Sequence, residues 1–174
     1  IRDVRIEHVR GSLTDHYDPS RKVVRLSDDT YGSTSVAAVG VAAHECGHVL
    51  QHQEGYAPLK FRTALVPAAN IGSRLGIPLI LIGILLGYNQ ALVSIGIWVF
   101  ALAVLFQLVT LPVEFDASSR AVRILDRQRM LVGGEVAQCR QVLNAAALTY
   151  VAAAAASILQ LLRLVCLFGG RRND

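Results

Sequence analysis

A mainly α-helical (α+β) membrane fold, with a small N-terminal antiparallel β-sheet and a transmembrane helical hairpin, follows from three features of the sequence. Hydrophobic residues make up 53% of the 174 residues and charged residues only 17%, against about 25% charged in ordinary soluble domains. The missing charge is concentrated: residues 75–87 and 91–111 carry none and are separated by the polar turn Tyr88-Asn89-Gln90. Before any helical pattern starts, the first 27 residues alternate and turn as short strands do. A length of 174 residues and a mean hydropathy of +0.44 fit one membrane-integrated domain over 1–174.

The elements follow in order. Val4, Ile6 and His8 alternate with Arg5, Glu7 and Val9, a half-buried strand broken by Gly11 and Ser12. Residues 13–17 and 22–26 flank Asp18-Pro19-Ser20-Arg21, whose side chains suit a hairpin loop. This sheet, residues 1–27, is either a structural cap or an edge that holds an extended substrate by strand addition. Asp28, Asp29 and Ser33-Thr34-Ser35 are N-cap candidates for a helix over 33–53, which Gly55 and Pro58 end. Residues 60–74 are amphipathic and interrupted by Pro67 and Gly72.

The hairpin 75–111 comes next. Its second run, 21 residues, spans ~31 Å as a helix, a full hydrocarbon core; the first, 13 residues, reaches only ~20 Å. Pro112 suits the start of a new amphipathic helix over 112–132, closed by Gly133-Gly134. A last helix over 135–168 holds 18 uncharged residues, 145–162, enough for a third span of ~27 Å before Arg163 and Arg171-Arg172.

The net charge of +4 does not point to nucleic acid, because the basic residues flank apolar runs and do not interleave with aromatics. Cys46, Cys139 and Cys166 have neither metal-type nor redox spacing and fit reduced thiols in a cytosol-facing protein. No signal peptide is visible in a sequence that opens without Met.

Chemistry concentrates at His44-Glu45-Cys46-Gly47-His48. Histidines four apart on a helix lie about 40° apart around it and ~6 Å along it, so both can reach one ion. The glutamate between them then faces a water activated by that ion, the His-Glu-x-x-His zinc pattern. Cys46 points away on this geometry, and Gly47 allows close packing. A catalytic zinc needs a third protein ligand and one open position. His52 is two turns, ~12 Å, from His44 and cannot join both histidines on one ion. Position 54 is Glu, which removes the pattern with a third His six residues after the second. Glu114 and Asp116 remain, and being two apart on a helix only one can face the metal. Glu114, between Val113 and Phe115 and three residues past the apolar run, is a carboxylate in need of a partner. An ion pair with an Arg, or the helix dipole, would serve it as well.

Four blocks carry a family resemblance: residues 15–19 (Asp-His-Tyr-Asp-Pro), 35–45 ending in Ala43-His44-Glu45, 106–118 containing Pro112-Val113-Glu114-Phe115-Asp116, and 145–152. Together they resemble the YugP-type membrane zinc metallopeptidases, the neutral zinc metallopeptidase type 2 group. More distantly the chain is similar to HtpX and the CAAX prenyl proteases, gluzincins whose third ligand is a Glu on a later helix. The resemblance implies a zincin-like helical membrane metalloprotease with Zn2+ on His44, His48 and Glu114 and with Glu45 as base. The distant gluzincin relatives place an acid four residues after the ligand Glu, where this chain has Ser118; the YugP-type family usually begins with a membrane-anchoring helix.

The function expected is a zinc endopeptidase cleaving membrane-associated or unfolded proteins through a metal-activated water. The alternatives are an intramembrane metalloprotease and a catalytically silent zinc-binding membrane scaffold. The partners expected are the lipid bilayer and a protein or peptide substrate. Oxyanion donors are to be sought among Tyr56, Tyr150, His16 and Arg120. Lys60, Arg62, Arg74, Arg120, Arg123, Arg127 and Arg129 lie beyond the hairpin ends, while its turn has no basic residue. The positive-inside rule therefore predicts a multi-pass plasma-membrane protein whose site faces the cytoplasm.

Overall fold

A computed structural model, which describes residues 3–169, shows three short strands followed by four helices. The strands β1 (Arg5–His8), β2 (His16–Asp18) and β3 (Val23–Leu26) form one sheet in the order β1-β3-β2. β2 and β3 are the expected antiparallel hairpin. Asp18 closes its turn: Oδ1 accepts from the Ser20 hydroxyl at 2.6 Å and from the N–H groups of Ser20 and Arg21 at 3.0 and 3.2 Å.

One feature differs from the expected sheet. β1 pairs with β3 in parallel, so the sheet is mixed and not purely antiparallel. The link between β1 and β2 turns through Gly11 at φ +110°, and Asp28 Oδ2 receives the Gly11 N–H. β1 and β2 thus occupy opposite edges of β3, the strand whose Val23 and Val24 are buried. Alternation in β1 is correspondingly weak: Val4 packs inward while Ile6 stays 61% exposed.

Helix α1 (Val36–Gln53) starts at Ser35, whose hydroxyl accepts from the N–H of Ala38 at 3.2 Å. Of the candidate caps, this is the one used. Gly55 at φ +67° turns the chain away after Glu54. α2 (Ala57–Leu85) and α3 (Gln90–Arg127) run longer than their breakers predicted, with Pro67 and Pro78 inside α2 and Pro112 inside α3. Residues 112–127 are therefore the end of α3 and not a separate helix. A proline removes one backbone donor but keeps a helical φ, and long apolar helices absorb that loss. Arg129 and Gly133, at φ +54° and +56°, turn the chain into α4 (Gly134–Phe168).

The chain divides into two compact units. The first holds residues up to Leu59 together with Pro112–Leu148. In it the sheet packs on α1 through Val24, Leu26, Tyr17, Ala42 and Val49. A second cluster joins Ala121 and Leu125 to Cys139 and Leu143, against Val36 and Val39 of α1. The second unit holds Lys60–Leu111 and the chain from Thr149 onward. Its helices approach at glycines: a Cβ on Gly76 would lie 2.8 Å from the Cβ of Phe100, and one on Gly96 2.6 Å from Ile80. Small residues at such crossings are how helices associate in lipid.

α2, α3 and α4 are each long and apolar enough to cross a membrane. Their outward faces carry uncovered apolar side chains, Leu85, Trp98 and Leu159 at 83%, 75% and 67% exposure. A soluble core would bury these; hydrocarbon accepts them. Arg171-Arg172, expected to flank the last span, lie outside the described residues.

Candidate metal centre

All the residues that matter here belong to the first unit. His44 and His48 project one turn apart from α1, ring centroids 4.8 Å apart and planes at 89°. Glu114 comes from α3, which meets α1 backbone to backbone: a Cβ on Gly47 would lie 2.5 Å from the carbonyl oxygen of Ala117. Only glycine permits that approach. Oε2 of Glu114 lies 3.2 Å from Nε2 of His44 and 3.7 Å from Nε2 of His48. The three ligand atoms all fall within 4.8 Å of one another, and Glu114 is only 3% exposed.

The far nitrogens of both rings are committed. Nδ1 of His48 lies 2.9 Å from Oε1 of Gln51, whose Nε2 donates to Val113 O and to Asp116 Oδ2, both at 2.8 Å. With that amide already donating twice, its oxygen must accept, so Nδ1 of His48 carries a hydrogen and, in the neutral ring, Nε2 a lone pair. Nδ1 of His44 lies 3.0 Å from the Ser118 hydroxyl, which can accept from it in the same way. Two imidazole lone pairs and a carboxylate oxygen then converge on one point. Such an arrangement is repulsive unless a cation or added protons stand between the atoms. The donor set N, N, O with three protein ligands is that of catalytic zinc, and the partners on Nδ1 are those that orient metal-binding histidines.

Electrostatics carry the same imprint. Burial works against a charged His48, yet Glu114, Glu45 and Gln51 outweigh it and raise its pKa above the ordinary imidazole value. Glu45 is buried, and that burial pushes its carboxyl above the usual carboxylate range despite the nearby His48 and His44; Glu114 adds to the rise. The backbone of Tyr17 on edge strand β2 opposes that rise slightly. A carboxylate so placed is poised to take and return a proton.

Other expected residues fall elsewhere. His52 is exposed and pairs with the Tyr17 hydroxyl at 2.9 Å, away from the ligands. Asp116 is not a ligand in this geometry; it joins Gln51 to Arg120 Nε, the latter at 2.6 Å. Arg120 also holds Glu54 at 2.6 Å and lies over the Tyr56 ring, so these two oxyanion candidates are engaged with each other. His16 bonds Thr14 O and Arg25, and Tyr150 belongs to the second unit. Sequence reasoning missed Gln51, although a glutamine three residues after His48 on the buried face of α1 was a usable signal. Ser118 stood out only as a departure from related sequences; here it partners His44.

A family model described as "Putative neutral zinc metallopeptidase" matches residues 1–169. The chain is 50% identical over 172 residues to a Bacillus subtilis (strain 168) protein named "Putative membrane protease YugP", covering 99% of this chain and 76% of that protein. No solved structure matches significantly.

Proposed function

The chain belongs to this neutral zinc metallopeptidase family, and from that premise we propose that it is a zinc-dependent membrane endopeptidase of the gluzincin type. Its substrates are membrane-associated or unfolded proteins, and its site faces the cytoplasm, the side to which the basic residues beyond the hairpin ends assign it. The observation that carries this reading is the convergence of His44, His48 and Glu114 within 4.8 Å, with Glu45 on the same helix.

His44, His48 and Glu114 would hold zinc. When bound, zinc supplies Lewis acidity, which acidifies water and polarises a carbonyl. The Gln51 amide and the Ser118 hydroxyl hold the two imidazoles with Nε2 toward Glu114. Glu45 takes a proton from water onto its carboxylate as the scissile carbonyl is attacked, and delivers it to the leaving amine. Burial of Glu45 raises its basicity toward that task.

Metal analysis and peptide cleavage on purified protein, Glu45→Gln and Glu114→Ala test this together. Glu45→Gln should keep zinc and lose cleavage, while Glu114→Ala should lose zinc. Full zinc in Glu114→Ala would remove it as a ligand, and cleavage surviving in Glu45→Gln would remove the base. Zinc binding without cleavage of any unfolded substrate would leave the scaffold reading.

A further inference from the structure

Lined by none of His44, His48 and Glu114, a recess of about 370 Å³ lies in the first unit between the 115–123 stretch of α3 and the 140–144 stretch of α4. That is a volume typical of small-ligand sites, about 300–1,000 Å³. Phe115, Val122 and Leu143 give it an apolar wall, and Arg123, Arg140 and Asn144 a polar one. Neither guanidinium has a carboxylate partner among the described residues, in contrast to Arg25 and Arg120, each of which holds two. Arg123 Nε donates to the Ser119 carbonyl one turn back, at 3.2 Å. That bond fixes the guanidinium at the recess and leaves its terminal nitrogens for a ligand.

Two arginines facing one cavity call for an anion with several oxygens, and phosphate suits the planar guanidinium fork best. The sequence adds where that anion comes from. Phe115 lies four residues after the uncharged run 91–111, and Asn144 immediately precedes the uncharged run 145–162. Both walls of the recess thus adjoin residues read as membrane runs, where headgroups are the abundant phosphates. The apolar wall suits the glycerol and first methylenes attached to such a phosphate; a free inorganic ion has no use for it.

We infer that this recess binds the phosphate headgroup of an anionic phospholipid, held by Arg123 and Arg140 with its apolar part against Phe115, Val122 and Leu143. The inference rests on the membrane reading of the two runs and not on the zinc chemistry. Ser118, which also lines the recess, is the partner of His44, so the bound lipid adjoins the metal centre.

The test uses the whole chain in a neutral detergent, with melting followed on adding phosphatidylglycerol, phosphatidylcholine, inorganic phosphate or an acidic unfolded peptide. Phosphatidylglycerol about tenfold above its Kd should raise Tm by about 4 °C, and phosphatidylcholine should not. Arg123→Gln with Arg140→Gln should keep the metal content and lose that rise. The milder pair Arg123→Lys with Arg140→Lys keeps the charge without the fork and should retain half the rise or less. An undiminished rise in either double variant overturns the site. An equal rise with inorganic phosphate overturns the lipid assignment in favour of a soluble anion. A rise with the peptide and none with phosphatidylglycerol makes the recess a substrate groove.

Discussion

His48 and Gln51 are joined by a 2.9 Å hydrogen bond from Nδ1 to Oε1, and Gln51 is fully buried beneath the imidazole it orients. Gln51→Leu leaves the His48 Nδ1–H without an acceptor and takes one hydrogen bond each from the Val113 carbonyl and Asp116, which keep the helix and Arg120. Zinc affinity should fall about 10–100-fold, as when other partners of metal-bound histidines are removed. Stability should fall by about 1–3 kcal/mol from the unsatisfied groups. Titration against a competing chelator reads the first, and chemical denaturation the second. Ser118→Ala should weaken zinc through His44 while leaving stability less affected, since it removes one hydrogen bond where Gln51→Leu removes three.

Gly47→Ala addresses the crossing of α1 and α3. The new methyl would stand 2.5 Å from the Ala117 carbonyl oxygen and 3.0 Å from its Cα, and backbone cannot swing aside as a side chain would. A loss of about 1–3 kcal/mol is expected from overpacking. Parting the helices also moves Glu114 from the histidines, so zinc occupancy measured by atomic absorption should drop in step. Normal occupancy with lowered stability would show that the ligands tolerate the displacement.

Stripping metal from the purified protein should lower its melting temperature reversibly. A ligand present at about a thousand times its Kd adds about 4 kcal/mol to the folded state. The metal-free protein additionally keeps the three converging donor atoms close together. Calorimetry before and after chelation, and after zinc is restored, measures the difference. Glu114→Ala should melt at the same temperature with and without chelator.

Acid should weaken the hairpin turn through Asp18. Its carboxyl is held down to about 2 by the Ser20 hydroxyl, overcoming partial burial, with the Arg21 N–H, Arg25 and the Ser20 N–H adding to the effect. A folded pKa below the unfolded value of 3.8 means that the folded state binds fewer protons. The stabilisation is therefore present above that value and lost as pH falls through 3.8 toward about 2. Melting of wild type and Asp18→Asn between pH 2 and 6 should differ most at pH 6 and converge at the acid end.

Much of this molecule was legible in its sequence. Four-residue spacing put His44 and His48 on one face, and the absence of charge over 91–111 marked a helix long and apolar enough to cross a membrane. Proline was the weaker guide. Pro67 and Pro112 read as interruptions, yet a helix loses one hydrogen bond at each and continues. The partner of β1 was not legible either, because a four-residue strand alternates identically beside a parallel or an antiparallel neighbour. Gln51 escaped notice because its role depends on Val113 and Asp116, 62 and 65 residues away.

Gln51 spans two helices with one amide group, touching His48 on α1 and the backbone of Val113, next to Glu114, on α3. Sliding one helix by a turn past the other would break the Gln51 bonds to Val113 and Asp116 at once, while its bond to His48 lies within α1. On the proposed zinc reading, this bracing should hold the three donors together with or without an ion. Metal uptake then requires an incoming ion to shed water and displace protons, with no folding step ahead of it. Loading should proceed at a rate set by the ion and the pH, largely independent of how stable the surrounding protein is.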